Sequence, residues 1–101
     1  AGCDLNRAAK GGVSPAYVAA HEGQTAVLDF LVKAGCDVNQ ATKGGATPAY
    51  IAAAYGQTAA LELLVEAGCD VDQAENGGAT PAYIAAQKGQ TAALEVLVKA
   101  G

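Results

Sequence analysis

The sequence predicts an all-α fold, a short solenoid of stacked helix-turn-helix units, and three observations lead there. Landmark residues recur at a spacing of 33: Pro15, Pro48 and Pro81; Tyr17, Tyr50 and Tyr83; Gly23, Gly56 and Gly89; Cys3, Cys36 and Cys69. Proline and glycine bracket two short helical stretches in every period. Apolar residues make up 51% of the chain, yet much of that is alanine, with a single Phe and neither Trp nor Met. Such a composition cannot fill a thick core, and it favours thin layers of helices whose backbones approach closely.

A fixed period of this length decides the architecture before any local reading does. Residues 35–67 and 68–100 differ at only seven of 33 positions, so the chain is one domain, 1–101, of three repeats at approximately 3–35, 36–68 and 69–101, with uncapped ends.

The middle repeat has neighbours on both sides and shows the elements in order. Thr47 before Pro48 is an N-cap followed by the one helix position that tolerates a missing N–H; Ser14 takes the same place in the first repeat. The first helix then runs from Pro48 to about Tyr55, and Gly56 ends it in the left-handed region. A tight turn through Gln57 and Thr58 opens the second helix. There Leu61, Leu64 and Val65 form an apolar stripe at i, i+3 and i+4, with Glu62 and Glu66 facing away. Gly68 ends that helix too. Residues 69–79 lack helical periodicity and read as an extended finger with a tight turn at Asn76, Gly77 and Gly78.

Helices of about eight to ten residues do not persist alone in water. Each pair must be stabilised by its neighbours, with Ala49, Ala52, Ala53, Ala59 and Ala60 keeping the layers close.

This turn, helix, turn, helix unit, with Ala-Thr-Pro-Ala-Tyr-Ile-Ala-Ala at 46–53, resembles the ankyrin repeat, whose period and Thr-Pro-Leu-His-x-Ala signature it approaches. The run Leu61-Glu62-Leu63-Leu64-Val65-Glu66-Ala67-Gly68-Cys69-Asp70-Val71-Asp72 is similar to that family's leucine-rich helix and its Gly-Ala-Asp-Val-Asn ending, with Asn6 and Asn39 restoring the Asn. Three departures recur: Ala16, Ala49 and Ala82 for the family's Leu, the three tyrosines for its His, and the three cysteines for Ala. The resemblance implies a His hydrogen bond between repeats that a tyrosine cannot copy, and the ring is expected to fill the space of the missing Leu.

Residues that suggest chemistry have plainer explanations. The cysteines occupy one position in successive layers about 8–10 Å apart, beyond the ~7 Å limit for a bridge, so they read as small buried thiols. His21 is the one histidine, leaving no second imidazole for a metal and no relay, and reads as a solvated surface residue. Asp4, Asp37 and Asp70, and Asp29, Glu62 and Glu95, form solvated rows. The Gly-Gly pairs starting at Gly11, Gly44 and Gly77 lack the Lys-Ser/Thr of a phosphate loop and are turn tips. No enzyme, cofactor or metal is expected.

A formal charge of −4 disfavours nucleic acid and anionic lipid as partners. No apolar run approaches the roughly 20 residues of a membrane helix, and the start has no signal-peptide pattern. Unpaired cysteines fit a reducing compartment, so an intracellular, cytoplasmic location is expected.

The resemblance implies a protein partner held on the concave face made by the fingers and the outward edge of the first helices. Four of the seven differences between repeats fall there: Thr42 and Glu75, Lys43 and Asn76, Ala54 and Gln87, Tyr55 and Lys88. Ala9, Lys10, His21 and Glu22 are the corresponding contributions of the first repeat. Tyr55, in the central repeat, is the sharpest candidate; a cation-π contact with Lys88 is its plainer reading. The alternative to a binding module is an engineered or structural scaffold without a dedicated partner, which near-identical repeats favour. Start and stop at one phase of the repeat read as a piece of a longer array. Leu94, Leu97 and Val98 are expected to lack cover, leading either to a frayed last helix or to end-to-end self-association.

Overall fold

The structure is a computed structural model, and it describes residues 5–101. Six helices follow one another in pairs: α1 (Pro15–Glu22) with α2 (Thr25–Lys33), α3 (Pro48–Ala54) with α4 (Thr58–Glu66), and α5 (Pro81–Gln87) with α6 (Thr91–Ala100). Among the described residues there is no strand. The first helices form one row, α1 on α3 on α5, and the second helices form another, α2 on α4 on α6. Layering in one direction draws the molecule out to 41 × 25 × 21 Å.

Each first helix begins as its sequence requires. The hydroxyl oxygens of Ser14, Thr47 and Thr80 accept from the backbone N–H of Tyr17, Tyr50 and Tyr83 at 3.1, 3.1 and 3.2 Å. Ser14 and Thr47 are buried, so in these two caps a hydroxyl oxygen withdrawn from water finds its partner at the helix start. The middle first helix closes one residue earlier than expected, at Ala54, with Tyr55 at its C-cap. Gly56 follows at φ 68°, its N–H donating to the Ala53 carbonyl.

The core is made of small residues in the first row and larger ones in the second. Ala49, Ala52, Ala53, Ala60, Leu61 and Leu64 of the middle repeat are all essentially sealed from solvent. Two expected members are not. Ala59 is exposed because it shares the outer face of α4 with Glu62 and Glu66, and Val65 is half-buried at the margin.

Stacking is visible in what happens to one position with and without a neighbour. Ile51 and Ile84 are each 8% exposed, whereas Val18, their counterpart in the first layer, is 47% exposed. Phe30 is 67% exposed although its counterparts Leu63 and Val96 are half-buried. At the other end Val98 is 70% exposed and Leu94 half-buried. Leu97 corrects the expectation of an uncovered leucine. It is buried, as Leu31 and Leu64 are, because this position packs whether or not a further layer follows.

Polar side chains lock the layers together. The Gln57 side-chain amide donates to the His21 carbonyl at 3.0 Å, and Gln90 donates to the Ala54 carbonyl at 3.2 Å. The Asn6 and Asn39 Oδ1 atoms accept from the backbone N–H of Asp37 and Asp70 at 2.7 and 2.8 Å. These asparagines and glutamines carry the polar link between repeats. Tyr17 and Tyr50 instead pack half-buried against the core.

Glycine at the end of a first helix therefore serves two needs. A Cβ on Gly56 meets Gln90 Oε1 at 2.5 Å, whereas one on Gly89, at a similar φ of 71°, meets nothing within 4 Å. Gly89→Ala is expected to cost about 1–2 kcal/mol through backbone strain alone. Gly56→Ala is expected to cost about 1 kcal/mol more, because it also displaces a bonded amide. Urea unfolding of the two variants beside the native chain measures the difference.

Candidate partner-binding groove

The fingers approach each other closely enough for backbone bonding. Each tip is a tight turn: Gly12 N–H donates to the Ala9 carbonyl at 3.0 Å, Gly45 to Thr42 at 2.9 Å and Gly78 to Glu75 at 2.8 Å. Successive tips join through Lys43 N–H to the Gly11 carbonyl at 3.0 Å and Asn76 N–H to the Gly44 carbonyl at 2.9 Å. The Gly-Gly pairs are thus turn tips. A Cβ on Gly45 would stand 2.7 Å from the Asn76 nitrogen, which is why no side chain occupies that place.

The expected site residues divide by what holds them. Thr42 Oγ1 accepts from Ala46 N–H at 3.2 Å, and Glu75 Oε1 accepts from Ala79 N–H at 2.9 Å. Both therefore brace their own finger, and the variation between them stays within acceptor side chains. The Asn76 side-chain amide donates to the Lys43 carbonyl at 2.9 Å and ties two fingers. Ala54 departs from the expectation of an open groove position: it is 8% exposed, and its carbonyl is taken by Gln90. Lys10, Glu22, Lys43, Tyr55, Gln87 and Lys88 are exposed, and His21 is half-buried.

Tyr55 does find a ring partner, but it is His21 and not Lys88. The two rings meet edge to face with centroids 4.5 Å apart and planes at 74°. His21 Nδ1 also lies 2.8 Å from Glu22 Oε2, so imidazole, carboxylate and phenol form one cluster across two repeats. Contact of this kind restrains the Tyr55 ring while leaving it 58% exposed.

The tyrosines that follow each first-helix proline belong to the same surface, although their place in the sequence suggests packing alone. Burial raises the Tyr17 phenol above its ordinary value, with Tyr55 and then Tyr50 adding to the effect. Burial likewise raises Tyr50, followed by Glu75 and Tyr83. Tyr83 is 56% exposed and lines a hollow of about 280 Å³ with Gly77, Gly78 and Ala79. The available signal was a large amphipathic ring flanked by alanines in a helix too short to bury it.

Cys36 and Cys69 are free thiols, half-buried and not sealed as an alanine-like position suggests. Cys3 and Asp4 lie outside the described residues. The other aspartates of that row, Asp37 and Asp70, accept from the backbone N–H of Asn39 and Asp72 at 2.9 and 3.0 Å and shape the finger's entry. Among the described residues no group of three or more His, Cys, Asp or Glu is placed to hold a metal ion. No helix of the described residues is long and apolar enough to cross a membrane.

A family model described as ankyrin repeats, in three copies, matches residues 16–101. No curated protein matches the chain.

Burial, and then the Asp70 carboxylate, push the Cys69 thiol from 9.0 up to about 11. A raised folded value means that the unfolded chain releases this proton first as the pH climbs. Stability contributed by the protonated thiol is therefore intact below pH 9.0 and lost as the pH approaches about 11. Urea midpoints measured under reducing conditions across that interval are expected to fall more for the native chain than for Cys69→Ala.

Proposed function

The chain belongs to the ankyrin-repeat family, and from that premise we propose that it binds a protein partner along its fingers and first-helix row, centred on Tyr55. Ankyrin repeats generally act as protein-protein interaction modules, and the family is typically non-enzymatic. The observation that carries the reading is the aromatic surface itself. Tyr55 is exposed in the central repeat yet held by His21, with Tyr17 and Tyr50 half-buried and Tyr83 open along the same row. Large rings already restrained before contact lose little freedom on binding, which is where interface energy concentrates. Lys10 and Lys43 on the fingers, Glu22 at the first layer and Lys88 at the third supply exposed charge around these rings.

Tyr55→Ala is expected to weaken the complex by about 2 kcal/mol or more while leaving far-UV circular dichroism unchanged. Calorimetric titration of a partner captured from lysate at moderate salt measures it, and an equal dissociation constant removes Tyr55 from the surface. Failure to capture any stoichiometric partner favours a scaffold without a dedicated one. The free thiols support a reducing, intracellular setting for either reading.

A second reading concerns the 101-residue chain with itself, favoured by the open apolar positions at its two outer layers. Val18 and Phe30 on one side, and Tyr83 and Val98 on the other, occupy places that a neighbouring repeat covers inside the stack. Contact between these unlike faces is heterologous and need not close, so it can extend in a line. Sedimentation velocity is expected to show species that grow with concentration in the native chain and are reduced by either Phe30→Glu or Val98→Glu. A strict monomer at all concentrations removes this reading and leaves the first untouched.

A further inference from the structure

Away from the tyrosine row, α4 and α6 enclose a groove of about 390 Å³. Val65, Ala92 and Val96 provide apolar lining, and Glu62, Glu66, Glu95 and Lys99 stand around it. Val65 and Val96 are half-buried, while the four charged side chains are exposed.

The charges here break a rule that the other repeats keep. In α2 the corresponding positions are Asp29 and Lys33, which form an ion pair at 2.9 Å, four residues apart on one helix face. Glu95 and Lys99 preserve the same order of charges in α6. In α4 the pair is Glu62 and Glu66, two like charges at i and i+4, an arrangement that destabilises a helix. Glu66 also lies in the last turn, where the helix dipole favours a cation, as Lys33 and Lys99 provide in α2 and α6. Both local effects therefore oppose a carboxylate at 66, and both are relieved by a positive charge brought from outside.

Among the described residues no cation is paired with Glu62 or Glu66. The one Lys or Arg paired with a carboxylate among the described residues is Lys33, with Asp29, leaving Glu62, Glu66 and Glu95 without such a partner. Lys99, on the far bank, is similarly unpaired, so the groove keeps an excess of negative charge over an apolar lining.

We propose that this groove docks a basic amphipathic helical segment of a partner protein, whose apolar residues lie on Val65 and Val96 and whose lysine or arginine side chains reach Glu62 and Glu66. The surface is separate from the Tyr55 row and does not depend on that reading. Charge complementarity selects the occupant, since an acidic or purely apolar segment leaves the like pair in α4 unrelieved.

The test uses the full chain and a fluorescein-labelled amphipathic peptide of leucine, alanine and lysine, with a copy carrying glutamate in place of lysine, read by fluorescence anisotropy at about 0.15 M salt. Saturable binding of the lysine peptide is expected, together with amide shifts at Val65, Ala92 and Val96 in nuclear magnetic resonance spectra. Glu66→Lys, which restores the helix pairing, is expected to raise the melting temperature and weaken binding by about tenfold or more. Glu66→Gln is expected to weaken it by a smaller factor, and Tyr55→Ala to leave it unchanged. Equal affinity of the Glu66 variants, equal binding of the glutamate peptide, or shifts centred on Tyr55 and Tyr83 would each overturn the proposal.

Discussion

Every feature of this molecule depends on one layer covering the apolar side of the next. Among the described residues no helix exceeds ten residues, and helices of that length gain too little from their own hydrogen bonds to outlast nucleation cost. Alanine makes the cover effective. With Ala20, Ala52, Ala53 and Ala85 fully buried in the first row, backbones approach closely and leucines such as Leu28 and Leu61 close the space behind them. The result is a core with no centre, spread evenly along the stack, in which each layer is as stable as its neighbours allow.

Polar groups give this stack its register. Apolar contact between alanine surfaces is tolerant of sliding, whereas an amide aimed at one carbonyl is not. Gln57 and Gln90 span 36 positions of sequence, and Asn6 and Asn39 reach 31 positions ahead, so all four hold one repeat at a set height on another. Register in turn positions the aromatic surface. The His21 and Tyr55 rings come from different repeats, and their edge-to-face contact exists only because the first helices are held in step.

What was legible in the sequence was local chemistry repeated three times. A cap before a proline, a glycine after a helix and a Gly-Gly turn each declare themselves within a few residues, and Thr47, Gly56 and Gly78 all behave accordingly. Exposure was harder to read because it is decided by the neighbouring layer. Ala54 looks like a variable groove position, yet the stack covers it, and Ala59 looks like spacing material, yet it faces out. Thr42 and Glu75 vary as partner contacts do, although both brace a turn through the same oxygen-to-amide bond. The inter-repeat glutamines were silent for a different reason. A residue that is identical in every repeat shows its period and conceals its bonding partner.

Among the described residues, the hydrogen bonds seen between layers run one way. Gln57, Gln90, Lys43 and Asn76 donate, the preceding repeat accepts, and the backbone amides of Asp37 and Asp70 do the same. Each 33-residue unit thus carries a plug on one side and a matching socket on the other, and copying a unit in the gene copies both halves of the joint. Lengthening such a chain by duplication requires no new fitting surface, whereas reversing the order of its contacts would require every one to be rebuilt.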